Sequence, residues 1–273
     1  MPIDESKVEE IAARILAASD AVRFIPPITD GIPDFDLAAA YRVSAEIVKR
    51  RIARGERPVG WKIGFTNETI WDEYGVHAPI WGPMYDSTVA PDADGTLAVG
   101  MLVEPRIEPE IAFRIAMPPD PEMDERALLE CVDAVAHGFE IVQSVFPGWR
   151  FKAADTVAAF ALHGRYRHGP FVPIAPVERE TWRAALSDFS ITLFREGEAV
   201  DRGIGRNVLG GGPLTALRHL VRGLADTPSA TGLRPGDIVT TGTVTRAFPV
   251  KPGESWATRL EGLALPGMRI RLT

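Results

Sequence analysis

The chain has 273 residues, 45% of them hydrophobic and 25% charged, with a formal net charge of −7. This length can bury a substantial core, as one large domain or as a main domain with a small accessory segment, and the composition is that of an ordinary globular protein. The negative charge excludes the basic surface of a nucleic-acid binder or of a protein held on anionic lipid. The single cysteine, Cys131, excludes an internal disulfide framework and zinc-finger spacing, and no apolar run reaches membrane-spanning length.

The opening MPIDESKVEEIAARILAASD is acidic and amphipathic, without the basic-then-apolar order of a signal peptide, so a cytoplasmic location is expected. Ile11, Ile15 and Leu16 recur at helical spacing behind the candidate caps Asp4 and Ser6, which predicts a helix over 4–19. A loop with Pro26, Pro27 and Pro33 follows. FDLAAAYRVSAEIVKRRIARGE then reads as a second helix, entered at Asp34 or Asp36 and stopped at Gly55. The division expected is a helical N-terminal portion, 1–58, and a β-rich catalytic domain, 59–273.

From Val59 the texture changes to short runs broken by Gly and Pro. VGWKIGF, STVAP, GTLAVGM, RIEPEIAFRIA, FSITLFREGE and DIVTTGTVTRAFPV all fit strands, several with period-2 alternation. Helices are predicted from Met123 to Ala136 and from Pro213 to Gly223, where Leu214, Leu217 and Leu220 share a face. Runs of strands with few helices indicate an α+β fold. GIGRNVLGGGP is rich in glycine but lacks both the Gly-Lys-Ser/Thr ending of a phosphate loop and a clean GxGxxG before a helix, so it gives no nucleotide site.

Side chains two apart on a strand share a face, so Glu108 and Glu110 present both carboxylates to one side. That spacing also fits a solvated strand face. Glu140 is a lone acid among Phe139, Ile141, Val142, Val145 and Phe146, and an ionised carboxylate in such a run needs a partner. Three oxygen donors of this kind suit a hard divalent cation, Mg²⁺ or Mn²⁺. The histidines have no zinc spacing. Lys62 lies between Trp61 and Ile63, where a lysine either snorkels from a strand edge or serves a site.

GWKIGFT, EPEIAF, the glutamate of HGFEIV and LRPGDIVTTGT resemble, in that order, the 2-keto-4-pentenoate hydratase and 4-oxalocrotonate decarboxylase branch of the fumarylacetoacetate hydrolase superfamily, over roughly residues 36–273. The resemblance implies a β-rich roll or sandwich of mixed sheets with a helical N-terminal part, and a Mg²⁺ or Mn²⁺ ion held by Glu108, Glu110 and Glu140. It implies that Lys62 handles protons or the substrate carboxylate, that Thr241, Gly242 and Thr243 contact that carboxylate, and that the protein is a homo-oligomer. Association with a related decarboxylase or hydratase subunit is also implied.

Two departures stand out. Where hydratases carry an acid in a GVDEP-like sequence, this chain has Gly75-Val76-His77-Ala78-Pro79, and His77 is the candidate replacement acid or base, or a loop histidine without a chemical role. Where relatives often have an ADN-like stretch, DTVAAFALHG places Ala159 and Phe160, with Lys152, Asp155 and His163 nearby as candidate substrate contacts. Asp155 could equally cap the following helix. The expectation is a metal-dependent hydratase acting on a 2-hydroxy-2,4-dienoate or 2-oxo-enoate. The alternatives are a 4-oxalocrotonate-type decarboxylase, an acylpyruvate-type C–C hydrolase, and a non-catalytic partner of an active homologue.

Overall fold

The computed structural model describes residues 3–92 and 95–273. Its helices are α1 (Glu5–Asp20), α2 (Ile28–Gly31), α3 (Leu37–Ala53), α4 (Trp71–Tyr74), α5 (Glu125–Glu130), α6 (Ala153–Ala158), α7 (Arg179–Asp188) and α8 (Pro213–Asp226). Its strands are β1 (Pro58–Gly64), β2 (Ile80–Tyr85), β3 (Val89–Pro91), β4 (Thr96–Leu97), β5 (Arg106–Ile115), β6 (Val132–Val142), β7 (His163–His168), β8 (Val172–Pro173), β9 (Ser190–Arg195), β10 (Glu198–Ile204), β11 (Ile238–Thr243), β12 (Phe248–Pro249), β13 (Ser255–Glu261) and β14 (Arg269–Leu272).

The larger sheet runs β2-β1-β11-β5-β6-β7-β3, with β12 added on β5 and β8 on β6, and the smaller runs β10-β9-β13-β14-β4. Parallel pairs, β1 with β11 and β3 with β7, sit among antiparallel ones, so the fold is a mixed-sheet α+β roll. Period-2 alternation divides the larger sheet between packing and chemistry. On β1, β5 and β11 the residues Ile63, Ile111, Phe113 and Val239 join α8 in one core cluster through Leu214, Leu217 and Leu220. Farther along that face Ile107, Phe139 and Ile141 pack on Leu193, Trp256 and Ile270 of the smaller sheet. The intervening residues, Lys62, Glu108, Glu110 and Glu140, belong to the opposite face.

The first and third helices begin where a side chain satisfies an end amide: Asp4 accepts from the Lys7 N–H and Asp36 from the Ala39 N–H, both at 2.8 Å. Val8, Ile11 and Ile15 of α1 and Val43 and Ile47 of α3 share a core with Val145, Phe146 and the α6 segment. The helical N-terminal portion thereby backs the segment that covers the chemical face of the sheet.

One expected helix is corrected. Only Glu125–Glu130 of the 123–136 stretch is helical, and β6 begins at Val132. Every residue of β6 except Asp133 is buried, so the run carries no alternation and its periodicity does not separate strand from helix. His137 therefore lies within a central strand.

Candidate metal centre and active site

The register of two strands, β5 and β6, assembles the acids. Glu108 faces Glu140 directly across the β5–β6 ladder, and Glu110 faces Gly138 one step along on the same side. One carboxylate oxygen from each of Glu108, Glu110 and Glu140 lies within 4.8 Å of the others. Lys62 reaches them from β1, which is joined to β5 through β11 by the pairings of Lys62 with Thr240 and of Thr240 with Ala112.

Lys62 is 2% exposed; its Nζ donates to the Ala161 carbonyl at 3.0 Å and lies 3.3 Å from Glu140 Oε2. Burial acts to lower the pKa of this ammonium, but the charges of Glu140, Glu108 and Glu110 outweigh it and hold it above its ordinary value. The lysine is therefore a cation at neutral pH. Burial pushes the Glu108 carboxyl up to about 7 against the pull of Lys62, and raises Glu110 well above the usual range with Glu140 and Glu108 adding to it. Burial also opposes ionisation of Glu140, but Lys62 and then His163 hold it down to about 2.

The oxygens divide into engaged and free. Glu110 Oε2 accepts the Gly242 N–H at 2.8 Å, and Glu140 Oε1 lies 2.7 Å from His163 Nδ1. Glu110 Oε1 and Glu140 Oε2 are buried without a hydrogen-bond partner among the described residues, although Lys62 pairs electrostatically with the latter. Unpartnered buried carboxylate oxygens are costly, and a divalent cation between them is the partner their chemistry fits.

Gly242 allows the close approach this requires. Its φ is +86°, and a Cβ there would sit 1.9 Å from Thr66 Oγ1. Phe160, Ala161 and Leu162 have φ of 61°, 50° and 64°, three consecutive left-handed residues with no glycine among them, and the middle one supplies the carbonyl that holds Lys62. Backbone strain of this kind is sustained where surrounding packing over-determines it, and here all three residues are buried.

A small, narrow pocket opens against this cluster. Lys62, Glu108, Thr66, Asn67 and Thr243 supply its polar lining, and Phe65, Ile70, Val142, Trp149, Leu162 and Ala247 its apolar wall. Gly242 and Thr243 thus reach the pocket, whereas the Thr241 hydroxyl is turned away to the Ile111 carbonyl at 2.9 Å. His163 stands behind Glu140. Asp155 is fully buried outside the lining, accepting from Thr29 N at 3.0 Å, Thr29 Oγ1 at 2.8 Å and Lys152 N at 2.8 Å. It does help to cap α6, though from within the first turn at the third helical position, where it accepts the N–H of the N-cap residue Lys152, whose own side chain is exposed. His77 also lies outside the lining: its side chain is 59% exposed, edge-on to Trp71 and 3.9 Å from Asp72. Of the four tryptophans near the site motifs, Trp149 lines the pocket, and Trp71 donates to the Phe65 carbonyl at 2.8 Å. Trp61 and Trp81 line a separate depression with Tyr41.

Trp149 is one of the four tryptophans whose closeness to the site motifs allows a place in a pocket wall, whereas Phe65, Thr66, Asn67 and Leu162 were not singled out from the sequence. Phe65, Thr66 and Asn67 directly continue GWKIG, and their nearness to Lys62 in the chain was the available signal.

A rolled mixed sheet carrying a buried acid triad and a lysine defines the class: it is the fumarylacetoacetate hydrolase fold, found also in solved structures of much lower identity. No protein-family model matches the chain. Individual relatives do. A 2-keto-4-pentenoate hydratase of Paraburkholderia xenovorans (strain LB400) is 34% identical over 258 residues, 93% of this chain and 91% of the relative. A 4-oxalocrotonate decarboxylase of Pseudomonas sp. (strain CF600) is 30% identical over 263 residues, 96% of each. The solved 4-oxalocrotonate decarboxylase from Pseudomonas putida G7, complexed with magnesium and adipate, superposes with a TM-score of 0.89 at 28% identity over 99% of both chains. The chain belongs to the 2-keto-4-pentenoate hydratase and 4-oxalocrotonate decarboxylase family of enzymes.

Proposed function

We propose that this protein is a divalent-metal-dependent hydratase that adds water to a 2-hydroxy-2,4-dienoate by way of its 2-oxo-enoate tautomer. The observation that carries the reading is the pair of free, buried oxygens, Glu110 Oε1 and Glu140 Oε2, facing Lys62 beside a pocket with an apolar wall. Glu108, Glu110 and Glu140 are the residues that would hold Mg²⁺ or Mn²⁺, which when bound supplies Lewis-acid polarisation of the 2-oxygen and carboxylate of a 2-oxo acid. Lys62, held as an ammonium, faces the negative charge of the dienolate through which the dienol becomes the ketone; its proton would move to carbon and the proton released from the 2-hydroxyl would restore the ammonium. Thr243 offers a hydroxyl for orienting the substrate carboxylate, while the Gly242 N–H and the Thr66 hydroxyl are already given to Glu110 Oε2 and the Thr241 carbonyl. Phe65, Trp149 and Leu162 exclude bulk water from the reacting chain.

A second reading, 2-oxo acid decarboxylation of the 4-oxalocrotonate type, is favoured by the close superposition on the decarboxylase from Pseudomonas putida G7. The two share an enolate and differ in whether water is added or carbon dioxide leaves. We further infer a cytoplasmic homo-oligomer, alone or with a related decarboxylase or hydratase subunit; the family resemblance supports this, and among the described residues no helix is long and apolar enough to cross a membrane.

The test is a paired assay of metal-stripped and Mg²⁺-restored protein on 2-hydroxypenta-2,4-dienoate and on 4-oxalocrotonate, following loss of dienol absorbance together with carbon dioxide release. Metal-dependent consumption of the first without carbon dioxide supports the hydratase. Carbon dioxide release from the second moves the assignment to the decarboxylase, and turnover of neither overturns both.

A further inference from the structure

We propose that His163 is a positioning residue that restricts Glu140 to a single ligating oxygen, and in doing so biases the acid triad toward a small octahedral cation and against calcium. The inference rests on the reading of the triad as a metal site.

His163 is 3% exposed and is gripped from both sides: Nδ1 lies 2.7 Å from Glu140 Oε1 and Nε2 lies 2.9 Å from Thr88 Oγ1. A carboxylate oxygen only accepts, so Nδ1 carries the proton and donates to Glu140. At 2.7 Å, and removed from solvent, this is a charge-assisted bond of the stronger kind. It commits Oε1 and leaves Oε2 turned toward Lys62, at 3.3 Å. Glu110 is treated in the same way by a different donor, since the Gly242 N–H holds Oε2 at 2.8 Å and leaves Oε1 free.

Two of the three acids therefore have one oxygen already hydrogen-bonded, which makes it the weaker ligand, and the other without a hydrogen-bond partner. Calcium takes six to eight oxygens and readily accepts a carboxylate through both, whereas magnesium demands near-ideal octahedral geometry with single-oxygen ligands and retains open positions. A carboxylate whose second oxygen is already engaged penalises the larger ion. The imidazole acts here as an outer partner of a metal ligand, and such partners fix the orientation of the group that coordinates.

The experiment measures Mn²⁺ affinity from the spectrum of the free ion, and Ca²⁺ affinity by competition, in wild-type protein and in His163→Leu, His163→Asn and Thr88→Val. His163→Asn keeps an N–H donor near the place of Nδ1. The wild-type preference for Mn²⁺ over Ca²⁺ is expected to fall by about tenfold in His163→Leu, to be largely kept in His163→Asn, and to fall partly in Thr88→Val, which loosens the imidazole without removing it and serves if His163→Leu does not fold. A merely structural role would weaken both ions together and leave their ratio unchanged, and that result would overturn the inference while leaving the metal site intact. Failure of the wild-type protein to bind Mn²⁺ would overturn the metal-site reading and this inference with it.

Discussion

Lys62 Nζ and Glu140 Oε2 lie 3.3 Å apart with both side chains sealed from solvent, and the same glutamate oxygen is the one left without a hydrogen-bond donor. The ammonium thus acts as the resident counter-ion of the triad in the metal-free protein. Lys62→Met removes that charge and leaves three buried carboxylates facing one another, a change that costs about 3–5 kcal/mol when one partner of a buried pair is lost. Thermal unfolding should show the metal-free variant strongly destabilised and a larger gain on adding Mg²⁺ than in wild type. Turnover should be lost with metal binding retained; a variant that turns over normally would remove Lys62 from the chemistry.

Glu110→Gln should have opposite effects on the two forms. It removes a charge that burial and its acidic neighbours disfavour, so the metal-free protein is expected to be at least as stable as wild type in a urea titration. Mn²⁺ affinity should fall by ~100-fold or more, at or beyond the upper end of the effect of losing even an outer partner of a metal ligand. Unaltered affinity would argue that the ion is held elsewhere.

His137 gives the protein a defined acid limb. Its ring is satisfied as the neutral form, with Nδ1 3.0 Å from the Glu110 carbonyl and Nε2 2.8 Å from Thr258 Oγ1, and burial lowers its pKa from 6.5 to about 4. On acidification the unfolded chain takes up this proton first. The contribution is therefore complete above pH 6.5 and is lost as pH falls toward 4, and the gap corresponds to about 3 kcal/mol. Denaturation midpoints between pH 7 and pH 4 should fall less steeply in His137→Gln than in wild type.

Asp155 has its carboxylate filled by Thr29 and the Lys152 amide, tying α6 to the N-terminal helices. Asp155→Ala should cost on the order of 3 kcal/mol, the loss of several bonds to a buried charge. The KM for substrate should be unchanged in protein that remains folded. A raised KM with unchanged stability would instead make Asp155 a substrate contact.

Ala161→Gly should stabilise the chain by about 1 kcal/mol, because a left-handed L-residue costs more than the added freedom of glycine in the unfolded state. Equilibrium denaturation reads the sign directly, and a destabilised variant would mean that Ala161 packing outweighs its strain.

The sequence made the acid triad legible because β5 alternates cleanly: Glu108 and Glu110 share one side while Ile107, Ile111 and Phe113 take the other. Glu140 was legible for a different reason, as a lone charge in a strand buried throughout. That same burial hid the strand's beginning and led 123–136 to read as one helix. The strands β2, β7, β8, β10, β13 and β14 were not foreseen: β2 is buried along its whole length and so shows no alternation, β10 is mostly exposed, and β14 does alternate but over only four residues. The setting of His163 could not be read from the chain either: it depends on the bulged register that sets Val142 opposite His163 between β6 and β7, and on a threonine 75 positions away.

The pairing of Lys62 with Thr240 joins the second strand of the larger sheet's order to the third across most of the polypeptide. During synthesis β1 emerges long before β11, so Lys62 and the acids of β5 cannot be brought to their final separation until the chain is nearly finished. Ladders closed over such distances in sequence form slowly. The cation can therefore lock the finished roll but cannot template its early steps, and a chain that stops short of Ile238 should retain the acids yet bind the ion no better than an unstructured peptide.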